Sequence, residues 1–151
     1  MTVLAKIAGT FFGLGYFPAA PGTAATIAGI GVVFLLKEAG WLYYAVAVAA
    51  LFAIGVAAAS HLEKKLGEKD PGIVVIDEVV GVMIALAGLP FSWPAVISGF
   101  FLFRAFDMFK IYPINKFEAL PGGWGVMLDD VMAGLYTNIV LSIAMRWAGL
   151  V

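Results

Sequence analysis

The run Val79-Val80-Gly81-Val82-Met83-Ile84-Ala85-Leu86-Ala87-Gly88-Leu89-Pro90-Phe91-Ser92-Trp93-Pro94-Ala95-Val96-Ile97-Ser98-Gly99-Phe100-Phe101-Leu102-Phe103 holds no Asp, Glu, Lys or Arg. A membrane-crossing helix needs about 20 apolar residues, so the run is long enough to cross once. Gly88, Pro90 and Pro94 argue against one straight helix. The run reads instead as a hairpin of two helices, about Asp77–Ala87 and Pro94–Lys110. The first limb is short for a full crossing and is expected to be only partly embedded.

The distribution of basic residues supports the hairpin. Lys64, Lys65 and Lys69 precede the run, and Arg104, Lys110 and Lys116 follow its end. A hairpin puts both groups and Lys6 on one side, with Lys37 and Arg146 opposite. Basic loops mark the cytoplasmic face of a membrane protein. A single straight span would split the two groups.

Working outward, three more charge-free runs appear: Ile7–Leu36, Ala39–Ser60 and Val131–Met145. The first contains Gly13, Gly15, Pro18, Pro21 and Gly22. It reads as a short helix and an irregular loop over Ile7–Gly22, then a short span capped by Thr23 and ending near Leu36. Irregular backbone at membrane depth survives only against protein or a water-filled cavity, so a site is expected nearby. Ile111–Leu128 is rich in turn formers and reads as a loop over that site. A final helix is expected from about Asp129 to Leu150. Glu68-Lys69-Asp70 reads as a solvated loop closed by the Asp70-Pro71-Gly72 turn.

Composition agrees. Of 151 residues, 63% are hydrophobic and 13% charged. Ordinary soluble domains are about 45–50% apolar and about 25% charged. A disordered chain, a basic nucleic-acid-binding domain and a typical soluble enzyme are excluded. There is no cysteine and one histidine, so thiolate metal sites and a cysteine nucleophile are excluded. Lys6 alone precedes the first apolar run, and Pro21 follows Ala19-Ala20, which argues against signal cleavage. The expected fold is all-α: one domain over 1–151, a small polytopic membrane helical bundle with a short hairpin or re-entrant segment and a cytoplasmic-side active site.

The few charges are placed unevenly. Asp77-Glu78 and Asp129-Asp130 stand at the starts of apolar runs, and Asp107 stands between Arg104 and Lys110 at helical spacings. Acids at helix N-termini are common, because they complement the helix dipole. Five carboxylates near hydrocarbon are costly unless paired or metal-bound. Oxygen ligands without sulfur suit a hard ion such as Mg2+. Arg104 and Lys110 are natural partners of a phosphate. Gly13–Thr23 leads into a helix N-terminus that offers N–H groups to an anion, without the Lys-Ser/Thr of a Walker A loop. Metal-binding acids beside anion-binding bases point to phosphoryl chemistry. His61 reads as a solvated helix end, with a proton-relay role as the alternative. The aromatics Trp41, Tyr43, Tyr44, Trp93, Trp124 and Trp147 read as interface anchors or core.

Four blocks in order, covering nearly the whole chain, carry a family resemblance. They are Gly13–Thr23, with its Pro-Ala-Ala-Pro-Gly-Thr core, Val75–Gly81, Phe103–Lys110 leading to Pro113, and Gly122–Gly134. The chain resembles the phosphatidylglycerophosphatase A family of bacterial membrane lipid phosphatases. The resemblance implies an all-helical protein of the bacterial inner membrane with a site facing the cytoplasm. It implies Mg2+-dependent removal of the terminal phosphate from phosphatidylglycerophosphate to leave phosphatidylglycerol. One departure is Ala24-Ala25-Thr26, where small polar residues are expected after Gly22-Thr23; Thr26 would replace a serine hydroxyl.

On this reading Asp77, Asp107, Asp129 and Asp130 are the expected Mg2+ ligands, with Glu78 as a further ligand or a base behind them. Gly22, Thr23, Thr26, Arg104 and Lys110 are the expected phosphate contacts. The nucleophile stays open between water and Asp129 or Asp130. Two rival classes are a transporter or proton pathway lined by acids, and a CDP-alcohol phosphotransferase, whose Asp-Gly-x-x-Ala-Arg block this sequence lacks. The oligomeric state is left open.

Overall fold

A computed structural model describes residues 2–149. Seven α-helices make up the described chain, and no strand occurs among the described residues. They are α1 (Thr2–Gly9), α2 (Pro21–Leu36), α3 (Trp41–Leu66), α4 (Ile76–Leu86), α5 (Trp93–Phe109), α6 (Ile114–Glu118) and α7 (Gly123–Trp147), with a 3-10 turn at Leu14–Tyr16.

Two helices, α3 and α7, are long and apolar enough to cross a membrane. At 1.5 Å per residue each spans more than the roughly 30 Å of hydrocarbon. Much of their apolar surface, including Leu42, Val46, Ile54, Ile139 and Ile143, is exposed. That pattern suits a lipid surround rather than water.

The hub is α4. Nine of its 11 residues are buried, and it packs against α2, α3, α5 and α7. Gly81 permits the closest approach: a Cβ there would lie 2.5 Å from the Phe103 ring and 2.9 Å from the Asp130 carbonyl oxygen. A helix without a side chain at that point lets neighbouring backbones meet.

At about 16 Å, α4 is too short to cross the hydrocarbon alone. Its terminal carbonyls therefore need partners other than a following helical turn. Each has one. The Tyr44 hydroxyl donates to the Met83 carbonyl (2.6 Å). The Asn138 side-chain amide donates to Ala85 (3.1 Å) and Ala87 (2.8 Å). The turn itself supplies Ala87 N–H to Ile84 (3.2 Å) and Leu89 N–H to Leu86 (3.3 Å). Gly88 takes a φ of +70° there, and the Ser92 hydroxyl caps α5 by accepting from the Ala95 N–H (3.4 Å). The hairpin expected from Gly88–Pro94 is present, and its tip sits beside the far end of α2, where Phe34 and Phe91 pack 5.3 Å apart.

Three boundaries differ from the sequence expectation. First, α2 starts at Pro21 with Ala20 as its cap, so Thr23 lies in the first turn and is not the cap. Proline is preorganised for the first helical position. Second, α3 continues past Ser60 to Leu66 and carries His61, Glu63, Lys64 and Lys65. Third, α7 starts six residues before Asp129, at Gly123, and ends at Trp147; Leu150 lies outside the described residues. Glycines 122, 123 and 125 look like breakers in sequence. Gly123 in fact packs on the α3 backbone at Val56 and Ser60, and its N–H donates to Ser60 Oγ (2.8 Å). The expected loop also contains the short α6.

Candidate active site

One cavity of about 300 Å³ gathers residues of five segments, four of them charged. The first turn of α2 contributes Pro21, Gly22 and Thr23. The loop before α4 contributes Asp70, Gly72 and Val74, and α4 contributes Asp77 and Glu78. Arg104, Asp107 and Lys110 come from the end of α5, and Asp129 and Asp130 from α7.

Apart from Asp70, the acids fall into two kinds. Asp77, Glu78 and Asp130 each offer a carboxylate oxygen within 4.8 Å of the others. Asp77 is 8% exposed and Asp130 2%. Asp77 Oδ1, Glu78 Oε2 and Asp130 Oδ2 are buried with no hydrogen-bond partner among the described residues. Buried charges without partners are expensive, and three of one sign are more so. A divalent cation with oxygen preference would satisfy all three, and the donor set fits Mg2+.

The other two acids are paired. Asp107 Oδ2 accepts from Arg104 Nη1 at 2.7 Å, and Arg104 also reaches Glu78 Oε1 at 3.8 Å. Asp129 Oδ2 accepts from Lys110 Nζ at 2.8 Å, and Asp129 Oδ1 accepts from the Asp130 N–H at 3.0 Å. Lys110 is aimed there by its backbone: it closes α5 in the left-handed region, φ +43°. It also pairs with Glu118 of α6 at 3.0 Å. Burial alone would lower its affinity for a proton, but Asp129 and Glu118 outweigh that and raise its pKa above the usual lysine value.

The mouth of α2 completes the cavity. The first helical hydrogen bond is the Ala24 N–H to Ala20 (3.0 Å). The N–H groups of Gly22 and Thr23 precede it, as expected for an anion-binding helix end. Gly22 has no room for a side chain, since a Cβ would lie 3.2 Å from Arg104 Nη1 and run into the Glu78 carboxylate.

Of the residues singled out in the sequence, the cavity brings together Gly22, Thr23, Asp77, Glu78, Arg104, Asp107, Lys110, Asp129 and Asp130. Thr26 is not among them. It is fully buried one turn deeper, and its hydroxyl donates to the Gly22 carbonyl at 2.8 Å. The Asp129-Asp130 pair sits in the second turn of α7 rather than at its start. His61 lies elsewhere, at the edge of an apolar groove between α1 and α3. Asp70 is the residue that sequence reading left as solvated loop. Its only signal was an acid ahead of a Pro-Gly turn; its place in the cavity depends on how the loop packs.

The phosphatidylglycerophosphatase A family model matches residues 7–145. A Bacteroides thetaiotaomicron protein provisionally named as a phosphatidylinositol-3-phosphatase is 44% identical, over 95% of this chain and 94% of its own. The phosphatidylglycerophosphatase A of Haemophilus influenzae is 39% identical, over 90% of this chain and 85% of its own. That of Escherichia coli K12 is 37% identical, over 90% and 81%. No solved structure matches the chain. With the family model covering nearly the whole chain and relatives of this identity along almost its full length, the chain belongs to the phosphatidylglycerophosphatase A family.

Proposed function

We propose that the protein is a Mg2+-dependent phosphoric monoester hydrolase that converts phosphatidylglycerophosphate to phosphatidylglycerol and phosphate. One observation carries the reading: three buried carboxylate oxygens without partners lie beside an arginine and an open helix N-terminus in one small cavity. The family's name and those of two relatives supply the substrate.

Asp77, Glu78 and Asp130 are the residues that would hold the cation. When bound, it would neutralise charge developing on the phosphoryl oxygens. The protein's own groups do the rest. Arg104 and the N–H groups of Gly22 and Thr23 hold and orient the phosphate. Asp107 fixes the guanidinium, and Asp129 with Glu118 fixes the Lys110 ammonium at the cavity edge. Preorganised donors of this kind need no rearrangement during the reaction.

We place the protein in the bacterial inner membrane as a multi-pass bundle. The site faces the cytoplasm, because it shares its end of the bundle with Lys64 and Lys65 in the last turn of α3 and Lys69 in the loop that leads to the site. The lipid tails need only an opening to the bilayer.

The test is phosphate release by purified protein from phosphatidylglycerophosphate, phosphatidylinositol 3-phosphate, phosphatidic acid and soluble glycerophosphate, with Mg2+ and with EDTA. Release from phosphatidylglycerophosphate that EDTA stops is the expected result. A clear preference for phosphatidylinositol 3-phosphate would move the substrate toward that of the Bacteroides relative's name. No release from any of the four would overturn the reading.

A further inference from the structure

We propose that Asp70 is the general acid that protonates the leaving-group oxygen of the lipid phosphomonoester. The proposal rests on the phosphomonoesterase reading above.

Four observations support it. Asp70 lines the same cavity as the convergent acids and Arg104. It stands outside the Asp77–Glu78–Asp130 group, and among the described residues it is the one cavity acid in neither that group nor an ion pair. A carboxyl already committed to a cation or an ion pair cannot hold a proton for transfer.

Its backbone is held in an uncommon shape. The φ of Asp70 is +50°, in the left-handed region that side chains rarely adopt. The Asp70 N–H donates to Glu63 Oε1 of α3 at 3.0 Å. The chain then turns at Pro71-Gly72, closed by the Val74 N–H to the Pro71 carbonyl at 2.8 Å. Strain held in place by a specific partner is a feature of functional positions. In this conformation the half-buried Asp70 lines the cavity.

The surroundings favour the protonated form. Burial raises the pKa of Asp70 above the usual carboxylate range; Lys110 of α5 opposes this, while Glu118 of α6, Glu63 of α3 and Asp107 of α5 reinforce it. Asp77 of α4 and Asp129 of α7 also feel its charge. Five acids thus face it against one lysine. Catalytic acids are commonly tuned upward in this way.

The step balances without any further reactant. The ester P–O bond breaks and its electron pair stays on the glycerol oxygen. That oxygen takes the proton from the Asp70 carboxyl and leaves as an alcohol. Water forms the new P–O bond, and its two protons remain on the phosphate as dihydrogen phosphate. The Asp70 carboxylate then regains a proton from solvent.

The experiment compares two leaving groups on the full-length protein with Mg2+. Phosphatidylglycerophosphate has an alkoxide leaving group that needs a proton; p-nitrophenyl phosphate has one that does not. Asp70→Asn is expected to lower kcat on the lipid by about 10²-fold or more, and by no more than about threefold on p-nitrophenyl phosphate. In the unsubstituted protein, kcat on the lipid should fall as pH rises through the pKa of Asp70, and Asp70→Asn should remove that limb. Asp70→Glu, which keeps an acid, should retain it. Equal losses on both substrates, no loss on the lipid, or a pH limb absent from Asp70→Glu would overturn the assignment of Asp70 alone. Absence of lipid phosphate release by the unsubstituted protein would overturn the phosphomonoesterase reading, and the role of Asp70 with it.

Discussion

The two ends of α4 treat buried polar atoms in opposite ways. At its C-terminal end every free carbonyl finds a donor, from Tyr44, Asn138 or the turn itself. At its N-terminal end Asp77 and Glu78, with Asp130 across from them, keep buried oxygens that nothing among the described residues satisfies. The same 11-residue helix carries both. A fold able to satisfy one end completely has not left the other unsatisfied by poor packing. The contrast supports the proposed cation site at the N-terminal end, while the C-terminal end closes on partners from the chain itself.

The strongest way to break this contrast is to remove an acid from the unsatisfied end. Asp77→Asn or Asp130→Asn should lower phosphate release by about 10²–10³-fold or more. The same variants, free of metal, should unfold no more easily than the parent, because each removes one of three repelling charges. Activity within tenfold of the parent would mean the trio is not catalytic. A second test is thermal unfolding in detergent with increasing Mg2+. Saturating Mg2+, at about 100 times its Kd, should stabilise the parent by about 2.7 kcal/mol. Asp130→Asn should show little of this gain; an equal gain would place the cation elsewhere.

The satisfied end predicts a different pattern. Asn138→Leu strands two carbonyls at once and should destabilise by about 1–3 kcal/mol, and Tyr44→Phe by about 1 kcal/mol. Both should leave the Mg2+ concentration for half-maximal activity close to that of the parent. A large shift in that concentration would show that the two ends are not separable. The smallest effect is expected at His61, which lies off the site with only a long contact to Thr2 Oγ1 (3.4 Å). His61→Ala should change stability by about 0.5 kcal/mol or less and leave phosphate release within about twofold. A large loss of activity there would reopen a proton-relay role.

Much of this was legible in the sequence because it depends on local chemistry. Gly88, Pro90 and Pro94 cannot continue a helix, so the hairpin followed from Val79–Phe103 alone. Arg104 and Asp107 are three residues apart, and a helix makes them neighbours wherever it lies. What was not legible depends on packing. Gly123 and Gly125 are poor helix formers, yet α7 begins there because a residue without a Cβ fits against the α3 backbone and beneath the Leu120 carbonyl. That early start moves Asp129 and Asp130 into the second turn of a buried helix, away from the dipole role their position suggested. Thr26 read as a phosphate-contacting hydroxyl one turn into α2, but it is fully buried and donates to the Gly22 carbonyl. Asp70 was hidden for the opposite reason. Nothing in Glu68-Lys69-Asp70 distinguishes a solvated loop from one folded back over a cavity, and the Glu63 bond that decides between them crosses from another element.

The cavity also has a consequence for the order in which its ligands arrive. Six acids and only two bases line it, and both bases are already engaged with acids. A lipid phosphate reaching it alone meets a surplus of like charge. A cation bound first offsets part of that surplus and so makes room for the phosphate. Each ligand therefore lowers the cost of admitting the other, and linkage makes that help mutual. Cation and anionic headgroup should bind cooperatively, so that raising one tightens the apparent affinity for the other.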